Sequence, residues 1–313
     1  MQVKELFTII NKKITKNKQY ACFDFDHTCI NNDVQEMTYI YQVENFKLNM
    51  TLQKFKELLI IHEYLDEAYK IYENQMVTLE QEAFKLYEKL YKEMNKEELE
   101  RFSIVMLALF EVADKMCDSY FTYQWVLRLL EDYDKDEITK IAHQAFLDNY
   151  HQDHQLITKH QELLDSFNLQ PRLCRGFRAN QETLDILHYL KDHNIDVYMV
   201  SASSFETIRG ILDFDEFKDI FNEKNMFAIK IHTHNPNHII TIKEGKEKLI
   251  NFYLAPLYND MPPMLCAGDS TGDFWMMKMQ GQEGIRVVVG HNQSLKEALE
   301  KENIKYINIE ETI

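Results

Sequence analysis

The segment YACFDFDHTCINND, Tyr20 to Asp33, ends an apolar, strand-like run in two carboxylates, Asp24 and Asp26. Unpaired charge is costly to bury, so acids at such a place have a metal or a reaction to serve. Other segments carry side chains of matching chemistry. Thr28 follows the acids, the apolar run DVYMV ends in Ser201, Lys246 lies in KEGKEKL, and MLCAG runs into Asp269-Ser270-Thr271-Gly272-Asp273. A carboxylate can act as a nucleophile, and an acid two residues on can move protons. Grouped carboxylates suit a hard divalent cation.

Such residues converge only if their elements bring them together. All eight glycines and all five prolines lie at or beyond Pro171. A stretch that long without either residue reads as helix. Helical periodicity recurs in LQKFKELLIIHEYLDEAYKIY, LEQEAFKLYEKLYKEM, EELERFSIVMLALFEVADKM and YFTYQWVLRLLEDY, with breaks expected near Asn74, Asn95 and Asp134. Five to seven helices are expected there. After Pro171 the candidate strands DVYMVSA, MFAIKIH, MLCAGDS, IRVVVG and KYINI alternate with helical stretches such as NQETLDILHYLKDH. That is the pattern of a parallel sheet covered on both faces. YACFDFD shares this texture but precedes the helical segment. The expected fold is therefore α/β, a doubly wound, Rossmann-like parallel-sheet core of residues 1–30 and 171–313, with an all-helical domain of residues 31–170 inserted after the first strand. In such a sheet the loops after the strands meet in one crevice at the switch point.

Composition excludes several functions. The 313-residue chain is 45% hydrophobic and carries a formal net charge of -16. It is long enough for a substantial core, and it would be repelled by a nucleic-acid backbone or an anionic membrane. No apolar run approaches about eighteen residues, and lysines interrupt MQVKELFTIINKKITKNKQ, so neither a membrane span nor a secretory signal is expected. A cytoplasmic location is the default expectation. The five cysteines are scattered without a CxxC, which suits reduced thiols, with Cys22 and Cys266 in the core.

Four segments together resemble the haloacid dehalogenase superfamily of phosphatases. DFDHT is similar to its DxDx[TV] signature, MVSAS to its hydrophobic run ending in Ser or Thr, EGK to its lysine signature, and GDSTGD to its GDxxxD signature, in that order. TCINND and EGKEKL look most like the phosphoserine phosphatase branch. The inserted segment occupies the place of the superfamily's C1 cap. Its size looks more like that of the bacterial phosphorylcholine phosphatases.

The resemblance implies a Mg²⁺-dependent phosphomonoesterase. Read from the residues, Asp24 attacks phosphorus to form an aspartyl-phosphate, and Asp26 protonates the leaving oxygen and then activates water. Mg²⁺ is expected on Asp24, Asp269 and the backbone carbonyl of Asp26, with Asp273 acting directly or through water. Lys246 supplies fixed positive charge to the nucleophile and phosphate, with Lys243 as the reserve candidate. Thr28 and Ser201 are read as phosphate-binding hydroxyls that can also cap helices. A second acid so close to the nucleophile serves ester protonation, which disfavours dehalogenation. A phosphotransferase using an alcohol acceptor would need the same residues, and a non-catalytic phospho-ligand sensor stays open as another class. The partner expected is a small phosphomonoester.

Asp33 falls nine residues after Asp24, where the resemblance places the acid that meets a substrate ammonium. It could equally cap a helix, with Glu36 completing a capping box. If it faces the crevice, it favours phosphocholine, phosphoethanolamine or phosphoserine over sugar phosphates. His232, His234 and His238 read as a surface hairpin rather than a metal site. His27 and Ser270 are read as non-catalytic. Tyr123 and Trp125 sit in a helix face that packs, yet they are the aromatics to inspect for a quaternary amine.

Overall fold

The computed structural model describes residues 3–150, 152–159, 165, 170–231, 239–281 and 283–310. The chain forms two compact units, residues 1–34 with 177–313, and residues 35–176. In chain order the elements begin with α1 (Val3–Lys13), β1 (Tyr20–Phe23), and α2 (Val34–Glu44), which starts at the unit boundary. There follow α3 (Leu52–Leu58), α4 (Glu73–Lys92), α5 (Lys96–Met116), α6 (Ser119–Arg128), α7 (Lys135–Asn149), β2 (Gln155–Thr158) and β3 (Arg172–Arg175). The chain then builds α8 (Gln181–Asp192), β4 (Asp196–Ser204), α9 (Phe205–Arg209), β5 (Met226–Ile229) and α10 (Glu244–Leu249). It closes with β6 (Leu265–Gly268), α11 (Phe274–Lys278), β7 (Ile285–Val289), α12 (Gln293–Lys301) and β8 (Ile307–Ile309).

Six strands of the first unit form one parallel sheet in the order β5-β4-β1-β6-β7-β8. The central strands are covered on both faces: YACF and IRVVV are buried at every position, Arg286 included. From β1 the chain winds outward through β4 to β5, then returns to the other side through β6 to β8. The direction reverses between β1 and β6, whose register pairs Cys22 with Cys266 and Phe23 with Ala267. Ligand crevices in open α/β sheets form at this reversal, beyond the carboxyl ends of the strands. One face is packed by Leu249, Ile250, Leu254, Met276, Met277, Leu295 and Leu299 against Cys22, Val200, Cys266 and Val288. All five cysteines are buried thiols outside any disulfide.

The second unit is helical, and its start signals are those in the sequence. The Asn95 side chain accepts from Glu97 N and Glu98 N to open α5, and Asp134 with Glu137 forms a capping box at α7. Two expectations need correcting. LQKFKELLIIHEYLDEAYKIY is not one helix, because α3 ends at Leu58 and two 3₁₀ turns follow at Ile61–Tyr64 and Glu67–Tyr72. The backbone groups there find other partners: Leu58 O accepts from the Trp125 indole at 3.0 Å, and His62 N donates to the buried Glu80 carboxylate at 2.9 Å. The unit also contains an antiparallel ribbon, β2 with β3, which pairs Gln155 with Arg175 and Thr158 with Arg172. Trp125 is 1% exposed and lies in the apolar core of this unit near Tyr39, so it is a packing residue and not part of an open aromatic cage. The break near Asn74 falls at Tyr72, just before α4.

Candidate active site

The β1 ladder runs one residue past the strand, since Asp24 N donates to Ala267 O at 2.9 Å. The next turn winds about one carbonyl: Thr28 N, Cys29 N and Ile30 N all donate to Phe25 O, and His27 takes a left-handed φ of 52°. Phe25 anchors the turn by packing its ring on Phe217 and Phe221. The side chains of Asp24 and Asp26 are thus held on a rigid loop at the end of a central strand.

Two glycines allow the other segments to close on this loop. A Cβ on Gly268, at the end of β6, would stand 2.4 Å from Asp273 Oδ2, so only glycine lets the Asp273 carboxylate fold back onto its own loop. There Oδ2 accepts from Asp269 N at 3.1 Å and Ser270 N at 3.2 Å. On the third segment, a Cβ on Gly245 would stand 1.7 Å from Ile240 O. That close approach seats the first turn of α10 and delivers Lys246. Thr241 Oγ1 donates to Ser201 O at 2.5 Å, tying the approach to α10 to the end of β4.

Lys246 is 3% exposed, and its ammonium donates to Asp24 Oδ1 and to Asp273 Oδ1, each at 2.6 Å. Lys246 is therefore a lysine bonded to both Asp24 and Asp273. Burial alone would lower its pKa, but the flanking Asp24 and Asp273 carboxylates outweigh that and hold it charged. The acids are shifted the other way. Burial raises the Asp24 carboxyl against the opposing pull of Lys246, and it raises Asp273 to about 6 with the repulsion of Asp24 added. Asp269 stands well above the ordinary carboxylate range through burial, Asp273 and Asp24.

Asp26 is held separately. Its Oδ1 accepts from Val34 N at 2.8 Å, and its Oδ2 accepts from Ser203 Oγ at 2.7 Å and Ser201 Oγ at 3.4 Å. Burial, with the nearby Asp33 charge, pushes Asp26 up to about 7, despite the bonds from Val34 and Ser203 that favour the carboxylate. Asp33 itself is half-buried, its N–H bonded to Asn32 Oδ1. Thr28 is fully buried, and its hydroxyl has no hydrogen-bond partner among the described residues.

Asp24, Asp269 and Asp273 each offer a carboxylate oxygen, and these oxygens lie within 4.8 Å of one another. A set of hard oxygen donors, with buried carboxyls raised by mutual repulsion, fits a divalent cation such as Mg²⁺. Asp24 and Asp269 are the more available ligands. Both Asp273 oxygens are engaged, one by Lys246 and one by loop N–H groups, which suits a role in orienting the lysine and the loop.

The structure therefore gathers Asp24, Lys246, Asp269 and Asp273 into one cluster, and joins Asp26 to Ser201. One residue of the site was not anticipated, Ser203. The sequence signal for it is the period of two in SASS, which puts Ser201 and Ser203 on one face once β4 is seen to run on to Ser204. The pairing of β4 with β5 shifts register between Val200 and Ser204, where these serines turn toward Asp26. His232, His234 and His238 lie outside the described residues.

No family model matches the chain, and no curated protein matches it. Among solved structures it is similar to a conserved, functionally unknown protein from Anaerococcus prevotii DSM 20548, at 20% identity and a TM-score of 0.67 over 97% of this chain and 90% of that one. It is also similar to a protein of unknown function from Bordetella pertussis Tohama I, at 12% identity and a TM-score of 0.55 over 93% of this chain and 99% of that one. A phospho-aspartyl intermediate analogue of a phosphoserine phosphatase matches at 13% identity over 94% of each chain, with a TM-score of 0.42. What the first two likenesses establish is a shared fold.

Proposed function

We propose that the chain is a phosphomonoesterase of the haloacid dehalogenase type, hydrolysing a small phosphate ester through a covalent intermediate on Asp24. The observation that carries this reading is the buried Lys246 ammonium at 2.6 Å from both Asp24 and Asp273, with Asp26 held apart on its own donors. The two acids of DFD have different partners and hence different work. Asp24, paired with a cation, stays available as a carboxylate nucleophile toward phosphorus. Asp26, raised to about 7, can carry a proton to the leaving oxygen and then take one from water.

Mg²⁺, held by Asp24 and Asp269 with Asp273 behind them, would neutralise charge on the phosphoryl oxygens. Lys246 supplies fixed positive charge beside the nucleophile. The Thr28 hydroxyl, without a partner among the described residues, and the Ser201 hydroxyl, whose bond to Asp26 is long at 3.4 Å, support a reading of Thr28 and Ser201 as donors to the phosphoryl oxygens. The inserted unit, residues 35–176, acts as the selecting cap. Asp33 adds a second carboxylate to the Asp26 loop, close enough to raise Asp26. A substrate bearing an ammonium, such as phosphocholine, phosphoethanolamine or phosphoserine, relieves that repulsion, whereas a further anionic group adds to it.

The test is phosphate release from a panel of small phosphomonoesters with Mg²⁺, using wild type and Asp24→Asn. The reading expects release by wild type, highest on amine-bearing esters, and none by Asp24→Asn. Release by Asp24→Asn at the wild-type rate would overturn it.

A further inference from the structure

The geometry points to Ser203 as the residue that positions Asp26 for proton transfer, an inference that rests on the phosphatase reading and extends it. The argument begins with what each neighbour of Asp26 can do. Val34 N–H can only donate, so Oδ1, 2.8 Å away, is an acceptor whatever the charge of Asp26. The transferable proton therefore belongs on Oδ2. Both neighbours of Oδ2 are hydroxyls, Ser203 at 2.7 Å and Ser201 at 3.4 Å, and a hydroxyl can turn from donor to acceptor.

The two serines are not equivalent. Ser201 Oγ already accepts from Ser203 N at 3.0 Å, and its bond to Asp26 is long. Ser203 Oγ, on a residue only 1% exposed, makes the short bond. Ser203 is thus able to hold Asp26 in one orientation through both halves of the reaction. In the first half the Asp24 oxygen bonds to phosphorus, the ester P–O bond breaks, and its electron pair on the leaving oxygen takes the Oδ2 proton of Asp26. In the second half the Asp26 carboxylate takes a proton from water as that water's oxygen bonds to phosphorus. The P–O bond to Asp24 then breaks, and phosphate and the Asp24 carboxylate are released. Ser203 touches neither phosphorus nor leaving group in this scheme.

The test uses leaving groups of different need. A p-nitrophenolate departs without much protonation, whereas an alkoxide requires it. Ser203→Ala is expected to lower kcat on an alkyl phosphate by about ten- to a hundredfold, part of the roughly 10²–10⁴-fold that proton transfer contributes, while kcat on p-nitrophenyl phosphate falls by less than about threefold. KM stays near the wild-type value on both. Ser203→Thr keeps the hydroxyl and is expected to restore the wild-type ratio of the two rates, which keeps the inference testable should the alanine variant fold poorly. Equal losses on both esters, or a Thr variant in which the ratio collapses, would overturn the role of Ser203 while leaving the phosphatase reading intact. A wild type that hydrolyses neither ester would overturn both.

Discussion

Replacing Lys246 by methionine keeps the stem of the side chain and removes the ammonium that bonds Asp24 and Asp273. At an effective dielectric of about 20, a unit-charge pair at 2.6 Å is worth about 6 kcal/mol before desolvation. Dehydrating the ammonium offsets much of this, and removal of one partner from a buried ion pair costs about 3–5 kcal/mol. The cost depends on pH in a direction fixed by the shifts. Asp273 in the folded protein titrates at about 6, above its ordinary 3.8, so the folded state holds that proton more tightly than the unfolded chain. Its contribution to stability is greatest at low pH and is lost as pH rises toward 6. Without Lys246, whose charge pulls Asp24 and Asp273 down, both carboxyls move further up and the loss continues to higher pH. Lys246 itself, raised above 10.5, contributes in full across this range. The deficit of Lys246→Met should therefore widen from pH 5 to pH 8. Urea denaturation with chelator present in both proteins measures it, and Trp275 reports from the unit that holds Lys246. A variant as stable as wild type at pH 8, or a deficit that narrows from pH 5 to pH 8, would refute the reasoning.

On the proposed function, chelation by EDTA should silence phosphate release and Mg²⁺ should restore it, with Ca²⁺ restoring it poorly because of its larger, looser shell. Since Asp24 and Asp269 must be ionised to bind a cation and both are raised, Mg²⁺ affinity should weaken as pH falls, with proton release measurable by calorimetry in two buffers. Asp33→Ala should raise KM for amine-bearing phosphates far more than for p-nitrophenyl phosphate, and equal losses would remove Asp33 from substrate recognition. Gly268→Ala forces its new methyl against Asp273, so kcat should drop by about tenfold or more while the helical unit's melting, followed by circular dichroism, is unchanged.

Most of the sheet was legible because its strands are short runs rich in β-branched and other apolar residues: DVYMV, IRVVV and YACF need no partner to be recognised. The acids were legible for the same reason, since a polar residue at the end of such a run must have a use, whereas Lys246 was legible from EGK. Ser203 was not, because its importance depends on how far β4 extends before it turns and on which face meets Asp26. The end of α3 was hidden as well. Nothing in LLIIHEY announces a break, which is made by distant partners, the Trp125 indole on Leu58 O and Glu80 on His62 N. The ribbon of β2 and β3 is short and its burial does not alternate along either strand, so it has no apolar alternation to reveal it. Trp125 shows the opposite limit: an aromatic at helical spacing belongs to the core unless a cavity is built around it.

The central claim is that Asp24 becomes phosphorylated during turnover. Asp26→Asn, which slows hydrolysis of the intermediate, can be mixed with a good-leaving-group ester and Mg²⁺, quenched in acid and digested for peptide mass spectrometry. The account predicts a phosphoryl group on Asp24 that hydroxylamine removes and that Asp24→Asn never acquires. Continued phosphate release with Asp24 unmodified, or a phosphoryl group on another residue, would contradict it.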